Sequence, residues 1–190
     1  MIHTIETKHK KIADRLKAIY KESFFSYKEK KHYRKDGVFN QWALDLRCPF
    51  SNKNNLKTIS RYMVQVLKEN KIEQIIGKGF GSYFLVGGVL ASGDNLRAGL
   101  LRDSAKSHGF RKLIEGDIIP SKPTFLIDDL ICSGKTLNEA YKVLKKNKIN
   151  VKGAICVFQF GWGKKNSVQN KIKIISLAKL NYRENYESFL

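Results

Sequence analysis

PTFLIDDLICSGKTLNEA, residues 123–140, is the stretch from which the rest of this 190-residue chain can be read. An apolar run, Thr124 to Ile127, leads into two adjacent carboxylates, Asp128 and Asp129, and a Ser133-Gly134-Lys135-Thr136 turn then opens a helix. Helix N-termini and tight turns present unpaired backbone N–H groups, and the hydroxyls of Ser133 and Thr136 add donors, so the turn suits a phosphate dianion. Gly134 permits the turn and a close approach. The two carboxylates would repel a second phosphate; they suit the vicinal hydroxyls of a ribose, or a Mg²⁺ in contact with them. Together the two halves describe a ribose 5-phosphate. A nucleotide-binding loop of the G-x-x-x-x-G-K-[ST] type fails on register, because its first glycine would fall on Asp129. The plain alternative is a strand-turn-helix with the acidic pair as a cap.

Outward from this stretch, short β-branched runs alternate with helical patterns. The runs are IEQII (72–76), LRAGLL (96–101), TFLID (124–128), GAICVF (153–158) and KIKIISL (171–177), with helices expected at 80–91 and 134–147. Continuous apolar strands alternating with helices predict an α/β fold around a mainly parallel sheet, with ligands at the carboxyl ends of the strands. Asn54-Asn55 is expected to cap a helix over 56–69, and Ile5, Ile12, Leu16, Ile19, Tyr20, Phe24 and Tyr27 predict an amphipathic helix or helix pair over 5–30. No repeat or linker divides the sequence, so one domain over 1–190 is expected, with a basic N-terminal helical segment at 1–35.

Charge is the unusual feature. Lys and Arg number 36 against 17 acids, a formal net charge of +19. Residues 8–35 hold eleven Lys/Arg against three acids, and residues 142–173 hold nine Lys and no acid. Solvated lysines account for the use of Lys, but not for the scarcity of acids, so a polyanionic partner such as nucleic acid is an open expectation. Cys48, Cys132 and Cys156 are far apart and lack metal-ligand spacing, which argues against a zinc site or disulfide framework. There is no apolar run long enough for a membrane span and no signal-peptide pattern; a cytoplasmic protein without a membrane partner is expected.

The string hhhDDhhxSGxT resembles the phosphoribosyl diphosphate signature of type I phosphoribosyltransferases, and other segments resemble the orotate phosphoribosyltransferase branch. LLRDSAKSHGFRKLIEGDI (100–118) is similar to its catalytic loop, and IIGKGFGSYFLVGGVLA (75–91) to its diphosphate loop. RKDGVFNQWALDLR (34–47) is similar to its K-S-G-x-x-S-P-Y-x-x-D-x-R element and ISLAKL (175–180) to its closing strand, so the resemblance runs from about 30 to 180. It implies the type I phosphoribosyltransferase fold: a mainly parallel central sheet flanked by helices, with a mobile hood loop. It further implies that Asp128 and Asp129 hold the ribose hydroxyls and Cys132, Ser133, Gly134, Lys135 and Thr136 the 5-phosphate. Arg102, Lys106 and His108 fall on loop positions that contact the diphosphate, in the family often from a neighbouring subunit, so a homodimer is implied. Lys35 falls on the substrate-side lysine and Gly77, Lys78 and Gly79 on the diphosphate turn. Mg²⁺ would arrive on the diphosphate.

Departures from the pattern gather on the acceptor side. Asp103 stands where the loop has a lysine, and Gly81 where the diphosphate loop has one. Leaving-group stabilisation is expected to weaken. The arginine that grips the orotate carboxylate aligns with Phe160, in the segment Gln159 to Gly163, and the aromatic pair bordering the ring aligns with Ala43 and Leu44. An acceptor pocket more apolar than that for orotate follows. Trp42 and Trp162 read as core or rim aromatics. Two classes of function fit: a phosphoribosyltransferase acting on a nitrogen base, or a nucleotide-sensing or nucleic-acid-binding regulatory or defence protein with little or no transferase activity. Arg102, Lys106, His108 and the Asp pair place the enzyme first.

Overall fold

The computed structural model of the chain describes residues 3–26, 32–33, 39–40, 42–103, 113–161 and 171–182. Its centre is β9 (Thr124–Ile131), the strand predicted from TFLID. The strand does not end at the acidic pair: Leu130 and Ile131 continue in parallel register opposite Phe158 and Gln159 of β10 (Val151–Phe160), so Asp128 and Asp129 lie within the ladder. On its other edge β9 pairs in parallel with β6 (Gln74–Lys78), two residues later than IEQII suggested, and β6 pairs in parallel with β7 (Arg97–Leu101). β11 (Lys173–Tyr182) adds in parallel to β10. Antiparallel strands close both edges, β1 (His3–Glu6) against β11 and β8 (Ile114–Gly116) against β7, giving the order β1-β11-β10-β9-β6-β7-β8.

This order decides where a ligand can sit. From β9 the chain crosses outward to β10 through α5 (Lys135–Lys146), and from β6 it crosses outward in the opposite direction to β7 through α4 (Phe80–Ser92). Crossovers of one hand running in opposite directions put their helices on opposite faces. Two cores result. Leu137, Ala140 and Leu144 of α5 pack with Leu126, Ala154 and Cys156, while Leu85, Val86 and Val89 of α4 join Ile75, Phe125, Ile155 and α3 (Lys53–Glu69). Between β9 and β6 the two helix openings part, which leaves a crevice at the carboxyl ends of those strands.

The N-terminal part departs from its helical pattern. Ile5 lies in β1 opposite Leu180, and the helix is shorter: α1 (Ala13–Ser23), after a 3₁₀ turn at Lys10–Ile12, buries Leu16, Ile19 and Tyr20. Phe24 then enters β2 (Phe24–Ser26), paired antiparallel with β5 (Trp42–Leu44). A two-residue pair, β3 (His32–Tyr33) and β4 (Phe39–Asn40), and a short α2 (Arg47–Phe50) complete the chain. The cap of α3 is Asn52, not Asn54-Asn55: its side chain accepts the N–H groups of Asn54 and Asn55 at 2.9 and 3.3 Å. Among the described residues no helix is long and apolar enough to cross a membrane.

Candidate functional site

Asp128 and Asp129 stand at the crevice, half-buried, held in the ladder with β10 and just past Ile127, where the pairing with β6 ends. Each carboxylate accepts the next backbone N–H, Asp128 Oδ1 from Asp129 and Asp129 Oδ1 from Leu130, both at 2.9 Å. Removal from water, then the charge of its neighbour, pushes Asp128 well above the usual carboxylate range. Burial also raises Asp129, and the charge of Asp45 adds to this. A pair so disposed favours partners that relieve its charge: hydroxyl donors or a cation.

The turn after β9 supplies the complementary end. Gly134 adopts φ +72°, ψ +16°, a left-handed conformation in which a Cβ is strained, and caps α5. The cap residue itself offers no side-chain acceptor, Ser133 Oγ accepts the Lys135 N–H at 3.4 Å, and the first turn holds no acid, so the partial positive charge of the N-terminus faces the exposed Cys132, Ser133, Lys135 and Thr136. Although the residue is exposed as a whole, desolvation of its thiol, then the charges of Asp128 and Asp129, lifts Cys132 to about 12.

Opposite this turn lies the Gly77-Lys78-Gly79 segment. Gly77 is closely packed, since a Cβ there would stand 2.6 Å from Val86 Cγ2, and Gly79, at φ +91°, caps α4 with open space above it. Two residues on, Gly81 rests against Asp129: a Cβ at Gly81 would lie 2.0 Å from Oδ2. The opening of α4 thus faces one carboxylate of the pair. Lys78, 15% exposed, reaches Glu139 of α5 at 2.9 Å and Asp103 at 3.4 Å. Burial works against its charge, but Glu139 and Asp103 outweigh it and hold the ammonium above its ordinary pKa. Asp103, the acid that stands where the resemblance implies a loop lysine, thus pairs with the lysine that ends β6. Arg102 approaches Glu115 at 3.5 Å, and its buried Nε has no hydrogen-bond partner among the described residues.

Of the three positions aligned with the acceptor, Ala43, Leu44 and Phe160, Phe160 alone is aromatic, and it joins an aromatic cluster. Phe160, at the end of β10, lies 5.8 Å from the ring of Trp42 and 5.6 Å from that of His3. Trp42 stacks on Phe24 at 6.3 Å and meets His3 at 4.7 Å, while Ala43 and Leu44 pair with Phe25 and Phe24 of β2. His3 is buried, its Nδ1 2.8 Å from the Tyr20 hydroxyl; desolvation, then the N-terminal charge, lowers its pKa to about 4. Trp42 is thus a partly buried member of an aromatic cluster.

At the carboxyl ends of β6 and β9 lie Gly77, Lys78, Gly79, Asp128, Asp129 and the residues from Cys132 to Thr136, whereas Arg102 follows β7 and is engaged by Glu115 of the edge strand. Lys35, Lys106, His108 and Trp162 lie outside the described residues. Three participants, Asp45, Arg47 and Glu139, carried no sequence-derived role, although the first two fall on the D-x-R of the quoted element. Arg47 forms a bidentate pair with Asp45 (2.7 and 2.8 Å), and both charges reach Asp129, an approach that depends on the chain after β5 folding back over β9. Glu139 sits on an exposed helical position, with nothing in its spacing to join it to Lys78. Among the described residues no three His, Cys, Asp or Glu side chains gather as a metal site.

No protein-family model matches the sequence. The chain is 26% identical over 153 residues to an orotate phosphoribosyltransferase of Staphylococcus haemolyticus, a match covering 75% of each chain. It is 27% identical over 157 residues to that of Malacoplasma penetrans, 76% of this chain and 75% of the relative. Among solved structures, the Mycobacterium tuberculosis orotate phosphoribosyltransferase in complex with Fe(III) dicitrate superposes with a TM-score of 0.74 at 18% identity, over 87% of this chain and 94% of that one. The same enzyme in complex with 5-phospho-α-D-ribosyl 1-diphosphate gives 0.70 at 16% identity, over 90% and 93%. Likeness at this level establishes a shared fold.

Proposed function

We propose that this chain, which has the type I phosphoribosyltransferase fold and an orotate phosphoribosyltransferase-like sequence, binds phosphoribosyl diphosphate and transfers its phosphoribose to a nitrogen base. The observation that carries the reading is the pairing of the half-buried Asp128-Asp129 carboxyls with the acid-free opening of α5 on the same crevice. The first suits ribose hydroxyls and the second a 5-phosphate.

In the reaction the acceptor nitrogen's lone pair forms a bond to the anomeric carbon. The bond from that carbon to the diphosphate oxygen breaks, its electron pair leaving with the diphosphate, and the nitrogen's proton passes to solvent. Asp128 and Asp129 orient the ribose and lie near the developing oxocarbenium charge; Arg102 and the Gly77–Gly79 turn face the leaving group. The raised pKa of the Asp pair fits a nearby cation, and these two are the residues able to hold Mg²⁺ in contact with the ribose. When bound on the diphosphate, Mg²⁺ would neutralise the charge that leaves. Lys35, Lys106 and His108 are proposed to join the site as the resemblance implies.

The acceptor is proposed to be a base without a carboxylate, because Phe160, packed on Trp42 and His3, offers an apolar ring and no cation. Incubating the protein with phosphoribosyl diphosphate, Mg²⁺ and each of orotate, uracil, adenine, guanine and hypoxanthine, while following diphosphate release, tests this. Release with an uncharged base and not with orotate is expected; brisk turnover of orotate would refute the role given to Phe160. A homodimer is also proposed. Its support is α4, which has no charged residue and exposes Phe80, Phe84 and Leu90 at 75, 40 and 44%.

A second reading, a nucleotide-sensing regulatory or defence protein that acts on nucleic acid, is favoured by the net charge of +19 and the acid-free run at 142–173. It expects retention of DNA or RNA that falls steeply with salt. Absent or salt-independent retention would remove it.

A further inference from the structure

We propose that Lys78 is the fixed cation of the leaving-diphosphate subsite, held in position by Glu139 and paired with a displaceable Asp103 until ligand binds, and that it takes over from the lysines absent at positions 81 and 103. The inference rests on the phosphoribosyl diphosphate reading above. Lys78 is the last residue of β6 and immediately precedes Gly79, the φ +91° residue that caps α4. Its backbone therefore belongs to the turn at the crevice, and its side chain runs on the α5 side of the sheet to Glu139, one turn beyond Lys135.

An ammonium carries three donors. Glu139 takes one at 2.9 Å and Asp103, at 3.4 Å, engages a second, which among the described residues leaves the third for an oxygen of a ligand. The two carboxylates differ in exposure: Asp103 is 88% exposed and Glu139 47%. The Asp103 pair is screened by water and weakly held, so a polyanion can displace it at small cost. Glu139 stays and keeps the ammonium aimed. Where the resemblance implies a cation on the segment after β7, this chain carries an acid, and the cation is rooted instead at the end of a central strand. A cation rooted in the sheet is preorganised for charge that develops on the departing diphosphate.

The competing role for Lys78 is a staple joining β6, α5 and the chain after β7, and ligand binding separates the two. Calorimetry on the full chain would titrate magnesium diphosphate and, separately, ribose 5-phosphate. Lys78→Met is expected to weaken diphosphate by about tenfold or more while ribose 5-phosphate stays within about twofold, and Lys78→Arg to recover most of the loss. Asp103→Asn is expected to tighten diphosphate by about threefold at low ionic strength, a gain that salt erases. Unchanged diphosphate binding in Lys78→Met, or equal loss of both ligands, would overturn the proposal. So would diphosphate binding that is unchanged or weaker in Asp103→Asn, which tests the idea even if the methionine variant does not fold. Wild-type protein that binds ribose 5-phosphate but not diphosphate sinks Lys78 alone. Binding of neither ligand sinks the function proposed above as well.

Discussion

Replacing Gly81 with alanine puts a Cβ 2.0 Å from Oδ2 and 2.4 Å from Cγ of Asp129, contacts that no side chain can keep. Asp129 must rotate away. Its carboxylate is the end of a short side chain, so the fold can accommodate the move: an off-rotamer χ costs about 1 kcal/mol and loss of the Leu130 N–H bond about another. For a domain of this size that is a fall in Tm of about 4–8 °C. Ligand binding suffers more. A carboxylate turned from the crevice loses its hydrogen bonds to the ribose hydroxyls, each worth about 1.5–3 kcal/mol, or a factor of about 10–100 in affinity. Gly81→Lys, which restores the residue the resemblance implies, should weaken binding in the same way, since its Cβ meets the same atoms. Calorimetric titration of phosphoribosyl diphosphate with Mg²⁺, beside a thermal melt, reads both effects. An alanine variant that binds as tightly as the wild type, or a lysine variant that binds more tightly, would refute the placement of Gly81 against Asp129.

The buried ionisable groups make two further predictions. Asp128 has its native pKa raised above the ordinary 3.8, so the ligand-free protein loses stability as pH rises from about that value through the native pKa. Asp128→Asn should melt higher than the wild type at neutral pH, with the gap closing near pH 4; a variant less stable at pH 7 would show the carboxylate to be compensated. His3 runs in the opposite sense: its pKa falls from 6.5 to about 4, so stability is present at neutral pH and drains away as pH falls between those values. His3→Phe should flatten urea-denaturation midpoints between pH 6.5 and 4 relative to the wild type, and an unchanged slope would contradict burial of a neutral imidazole.

How much of this was legible in the sequence depended on whether the deciding force was local. The central strands were, because β-branched runs buried on both faces announce themselves, and so was the turn at Gly134, where residue type and conformation agree. The extension of β9 to Ile131 was hidden, since two carboxylates look like a terminus until Leu130 and Ile131 find Phe158 and Gln159. Ile5 fitted a helical face equally well; antiparallel pairing with Leu180, 175 positions away in the chain, made it a strand. Asn52 was overlooked because three asparagines at 52, 54 and 55 compete for one cap, and only backbone geometry separates them. In the site, the adjacency of the acidic pair to the turn was readable and the electrostatics were not. Lys78 gave a faint signal, a lysine closing an apolar strand before a glycine, but its pairing with Asp103 and Glu139 and the approach of Asp45 and Arg47 to Asp129 arise from elements distant in sequence.

The central claim is that the Asp128-Asp129 pair and the turn from Cys132 to Thr136 form one donor site. Isothermal calorimetry of the wild type and of Asp128→Ala with Asp129→Ala against phosphoribosyl diphosphate and Mg²⁺ addresses it directly. Saturable binding by the wild type, lost in a double variant that still melts cooperatively, is the expected result. Equal binding by both proteins, or none by the wild type, would contradict the account.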